Sequence, residues 1–81
     1  MRPPPDPEFD ALVDRLRQVR DEAAEALAID RGFLMPRAQL EEVARAHPDD
    51  LDALRAIEGI RNWQVEAMGG ELVSALRSWR P

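Results

Sequence analysis

The chain is 81 residues long, 44% hydrophobic and 33% charged, with no cysteine and a formal net charge of -5. That length allows one small domain with a modest core, and the missing cysteines exclude disulfides, a thiolate nucleophile and thiolate zinc sites. The negative total argues against a protein that grips nucleic acid through a broad positive field, so any such contact has to be local and weak.

In chain order, residues 1–5 read as a proline-rich linker stub ahead of a domain spanning 6–80. Asp6 and Pro7 suit the N-cap and first position of a helix. Phe9, Leu12, Val13, Leu16, Val19, Ala23 and Leu27 keep one face of it apolar. Asp10, Asp14, Arg17, Asp21 and Glu25 form its solvated face. Asp30, Arg31 and Gly32 end this helix, and Phe33, Leu34 and Met35 form an apolar loop that folds back over the core. Pro36 opens the second helix at its first position, with Leu40, Val43 and Ala44 buried and Arg37, Glu41, Glu42 and Arg45 wet. His47-Pro48 breaks it.

Asp49 is placed to cap a third helix, with Asp52 favouring its positive end and Leu51, Leu54 and Ile57 lining one side. Gly59 then takes a left-handed turn and Ile60 re-enters the core. A fourth helix runs over 61–68 and a fifth from Gly70 towards Trp79. Nothing repeats and nothing alternates with a period of two. The expected fold is all-α, a small five-helix bundle with a helix-hairpin-helix-like turn and short connections.

Charge is unevenly spread: -3 over residues 1–35, zero over 36–48, -3 over 49–60 and +1 over 61–81. The least acidic surface is therefore the second half of the hairpin and the C-terminal helix. Arg61, Asn62, Trp63 and Gln64 are the leading binding candidates, because they start a helix whose free N–H groups favour an anion. Arg61 can bond a phosphate, and Trp63 can either stack on an unpaired base, for about 1–3 kcal/mol, or pack against the first or fifth helix. Glycine would let a phosphate closer than Arg61 does.

Arg37 and Arg55 are secondary candidates, each beside an acid that can neutralise it. Arg77 and Arg80 either extend a positive patch or face a helix dipole as last-turn arginines. His47 is explained by the dipole at a helix end, and Glu41 and Glu42 lie adjacent instead of facing across a cleft. There is no lysine, so no glycine-rich phosphate loop can carry one. No catalytic residue, metal or cofactor is expected. No apolar run is long enough to span a membrane, and Met-Arg-Pro-Pro-Pro is not a signal peptide. The expectation is a cytoplasmic domain, monomeric in isolation, without a membrane partner.

The spacing resembles the HRDC domain, the helicase and RNase D C-terminal domain of RecQ-type helicases and ribonuclease D. The residues carrying the resemblance are Leu34-Met35-Pro36-Arg37-Ala38-Gln39-Leu40, Glu42-Val43-Ala44, Pro48, Leu51, Leu54, Ile57, Gly59, Ile60, Met68, Gly69, Leu72 and Leu76. It covers residues 9–78 and rests on joint spacing, not on one motif. The resemblance implies a non-catalytic accessory module that helps a helicase or a 3'-5' exonuclease engage single-stranded or structured DNA or RNA. The alternative is an acidic interaction module that docks on a basic face of the parent enzyme's catalytic domain. There are three departures from the family: Pro36-Arg37 replace Ser or Asn plus Asp, Gln64 replaces a basic residue, and Met68 replaces an aromatic. The last two weaken a helicase-like DNA contact, and Asn62-Trp63-Gln64 leans towards the ribonuclease D side.

Overall fold

The computed structural model describes residues 6–79. Five helices follow one another: α1 Pro7–Leu27, α2 Arg31–Leu34, α3 Arg37–Ala46, α4 Leu51–Arg55 and α5 Asn62–Arg77. The proposed linker at 1–5 lies outside the described residues. So does Arg80.

α1 is set by its first residues. Asp6 accepts hydrogen bonds from the N–H groups of Glu8 and Phe9, both at 3.1 Å, and Pro7 needs no donor at the first helical position. Its 21 residues span roughly 32 Å at 1.5 Å per residue, most of the 36 Å long axis of the domain. α5 packs along it with Met68, Leu72 and Leu76 fully buried, and α3 closes a second side through Leu40 and Val43. Arg45 of α3 also lies over the Phe9 ring, 5.6 Å from its centroid.

Several expected boundaries move. α1 stops at Leu27, where Ala28 is left-handed at φ 58° and the Ile29 N–H reaches back to the Ala24 carbonyl at 3.0 Å. Asp30 does not end that helix. It starts another, because its carboxylate accepts from the Phe33 N–H at 3.0 Å and nucleates the single turn of α2. The expected loop at 33–35 is thus partly helical. Leu34 and Met35 are buried as expected, but Phe33 is not.

Pro36 is the N-cap of α3 and not its first residue; its carbonyl takes the Leu40 N–H at 3.2 Å. Asp50, not Asp49, caps α4, accepting from the Ala53 N–H at 2.7 Å. Ile57 falls in the turn beyond α4, where Gly59 has φ 90°, the left-handed conformation a residue without Cβ takes at least cost. Ile60 packs against the core as expected.

The largest revision is at the C-terminal side. The expected fourth and fifth helices are one helix, α5, running unbroken through Gly69 and Gly70. The five-helix count survives because α2 replaces the lost break. None of the described helices is long and apolar enough to cross a membrane.

Candidate functional site

At the end of the domain where α2, the start of α3 and the start of α5 converge, two large aromatic side chains lie on the surface. Phe33 is 69% exposed and Trp63 39% exposed. Their rings stack on each other, centroids 5.6 Å apart and planes 25° from parallel. Trp63 meets the Phe33 ring and keeps 39% of its surface in water, where apolar area is costly unless something covers it.

Two adjacent features bear on what that surface can do. α5 has no acceptor side chain at its N-cap, since a guanidinium carries only donors. The Arg61 N–H is taken by Gln64 Oε1 at 2.8 Å, which leaves the N–H groups of Asn62 and Trp63 without an acceptor among the described residues. Arg61 and Asn62 are exposed beside Trp63, and Arg61 has no acidic partner among the described residues.

Gln64, expected among the exposed contacts, is 4% exposed and fully engaged inside the domain. Its Nε2 donates to the Leu34 carbonyl at 2.9 Å and to Gln39 Oε1 at 2.7 Å. Gln39 Nε2 in turn donates to the Gly59 carbonyl at 2.9 Å. The network leaves no buried side-chain polar atom of the described residues unpaired.

The remaining candidates scatter. Arg37 starts α3 at this same end, with its Nε 3.7 Å from Glu41. Arg55 closes α4 and pairs with Asp52 at 3.2 Å, so both expected neutralising acids are present. Arg77 has no acidic partner among the described residues, but fourteen residues of α5 put it about 21 Å from Trp63, so it does not join the aromatic pair.

Two participants were not among the binding candidates read from the sequence. One is Phe33, which was expected over the core. The other is Arg31, expected only to end the first helix, which sits two residues earlier on α2 and points towards Asp21 at 3.7 Å. A third missed residue, Arg20, is 7% exposed and donates from Nη1 to the Met35 carbonyl at 3.1 Å. Asp21 gathers Arg17, Arg20 and Arg31 around one carboxylate. Arg17 is committed to α1 as well: its hydrogen bond to Asp14 and the Asp14 charge, reinforced by Asp21, raise its pKa above the usual arginine value.

Among the described residues, these features define a small all-helical module with an exposed aromatic pair, the unneutralised Arg61 beside it and an otherwise acid-rich exterior. Residues 9–76 match the family model of the HRDC domain, and the chain belongs to that family, whose members are typically accessory modules of RecQ helicases or ribonuclease D. No curated protein and no solved structure gives a significant match to the chain.

Proposed function

We propose that this HRDC domain is a nucleic-acid-binding accessory module of a RecQ-type helicase or an RNase D-like 3'-5' exonuclease, giving weak engagement of a single-stranded or structured substrate. The observation that supports the reading is the exposed Phe33–Trp63 stack with Arg61 next to it. An unpaired base can extend such a stack, and each base–aromatic contact is worth about 1–3 kcal/mol. Arg61 and Asn62 supply donors for the neighbouring phosphate, with Arg37 and Arg55 more distant contributors. Six of the nine described arginines are in ion pairs, so few cations remain for counterion release. Binding should then depend on salt with a slope near that of one phosphate contact, about -0.7 on a log–log plot for a single strand.

The test is fluorescence anisotropy of a labelled thymidine oligonucleotide titrated with the domain. Trp63→Ala should weaken binding about tenfold, and Arg61→Ala should flatten the salt slope by about 0.7. Retained affinity in Trp63→Ala would rule out the aromatic surface as the contact.

The exposed acids without an arginine partner among the described residues, Glu22, Glu25, Glu58, Glu66 and Glu71 among them, favour a second reading. On that reading the domain docks by its acidic exterior on a basic face of the parent enzyme. It predicts no anisotropy change with any oligonucleotide and a salt-sensitive complex with the parent's catalytic domain.

A further inference from the structure

We propose that Gln64 is the positioning residue of the aromatic surface, holding the start of α5 against α2 in the register that stacks Trp63 on Phe33. The inference rests on reading that pair as the nucleic-acid contact, but its structural half can be measured without any ligand.

A primary amide offers two N–H donors and one acceptor oxygen, and at Gln64 all are used in different directions. The oxygen takes the Arg61 N–H, which closes the first turn of α5. One Nε2 proton goes to the Leu34 carbonyl at the end of α2 and the other to Gln39 on α3. Gln39 passes the link on to the Gly59 carbonyl, so the turn before α5 is tied to the same pair of amides. Leu34 directly follows Phe33, and Gln64 directly follows Trp63. The Gln64–Leu34 bond therefore joins the residues next to the two stacked rings, and it is the one hydrogen bond between α2 and α5 among the described residues.

The alternative is that Gln64 merely fills space. Apolar packing holds the rest of α5 against α1 through Met68, Leu72 and Leu76, and that packing does not depend on the amide. Trp63 lies outside it, more than a third exposed. Loss of the amide should therefore release the first turn of α5 and leave the helix in place. Methionine is the informative replacement, since it has a similar volume and no donor.

In the full chain, Gln64→Met should keep its helical circular dichroism and the methyl NMR shifts of Leu72 and Leu76. The nuclear Overhauser contacts between the Phe33 and Trp63 rings should disappear. Affinity for the labelled thymidine oligonucleotide should fall about tenfold, as far as in Trp63→Ala, and Gln64→Met/Trp63→Ala should bind no more weakly than Trp63→Ala alone. Gln39→Ala, which removes one acceptor and keeps the Leu34 bond, should weaken the ring contacts by about half and serves if Gln64→Met does not fold. Ring contacts of full intensity in a folded Gln64→Met, or in Gln39→Ala where only that variant folds, would overturn the proposal. So would additive losses in the double variant. A wild-type domain that fails to bind any oligonucleotide would instead defeat the nucleic-acid reading, while the ring contacts would still decide the role of Gln64.

Discussion

Replacing Arg20 by alanine should lower the unfolding free energy by about 2–4 kcal/mol, a large share of the roughly 4–12 kcal/mol expected of a domain this size. The side chain starts on α1, is 7% exposed, and donates to the Met35 carbonyl between α2 and α3 at 3.1 Å. Its Nη2 lies 2.9 Å from Asp21. Truncation removes the stem that covers neighbouring apolar atoms and leaves a buried carbonyl without a partner. Asp21 keeps Arg17 at 3.1 Å and Arg31 at 3.7 Å, so its own charge is not stranded, which holds the cost below that of an orphaned buried ion.

Arg20→Met separates these contributions, because it restores the stem and not the donors. It should recover part of the loss. Arg17→Ala, which removes ion pairs to Asp14 and Asp21 that solvent screens, should cost less than Arg20→Ala. Urea melts of the three variants provide the measurement. An Arg20→Ala stability within about 0.5 kcal/mol of wild type, the usual range for a surface change, would show that the Met35 bond does not hold α2 in place.

Arg20 also shows where the sequence was legible and where it was not. Local signals carried well: the Asp6-Pro7 start of α1, the left-handed Gly59 turn, and the buried Leu34-Met35 and Leu40-Val43 pairs all follow from rules acting over four residues or fewer. Arg20 lies four residues after Leu16, on the apolar stripe, and only its charge kept it out of the expected core. Gln64 is the same case. It precedes Met68, Leu72 and Leu76 at steps of four, so a continuous helix would have placed it inside. Its partners are 25 and 30 residues away, and no short-range pattern encodes such a bond. Phe33 went the other way: apolar and next to two core residues, it was assigned to the core, but the cap from Asp30 starts a helical turn that rotates it outward to meet Trp63.

Gly69 and Gly70 carry the second large prediction, and it has opposite signs at adjacent positions. Both glycines weaken a helix interior, by about 1 kcal/mol each relative to alanine, and that cost makes the pair resemble a break. Only one of them is needed. A Cβ on Gly69 would sit 2.9 Å from Val65 Cγ1, 3.1 Å from Leu51 Cδ2 and 3.3 Å from Leu54 Cδ2. Leu54 is itself 1% exposed and has no room to withdraw. The missing side chain is what lets α4 lie close to α5. A Cβ on Gly70 would meet nothing within 4 Å.

Gly69→Val should therefore destabilise the domain by about 2–3 kcal/mol through overpacking. Gly70→Ala should stabilise it by about 0.5–1 kcal/mol through helix propensity and a less free unfolded chain. At roughly 4–8 °C of melting temperature per kcal/mol, the two variants should melt well apart on either side of wild type. α4 leads into the turn that presents Arg61 and Trp63, so Gly69→Val should also disturb the aromatic surface, while Gly70→Ala should leave it unchanged. If Gly69→Val melted with or above wild type, the close approach of α4 and α5 would be wrong, and the glycine pair would have to be explained as a hinge.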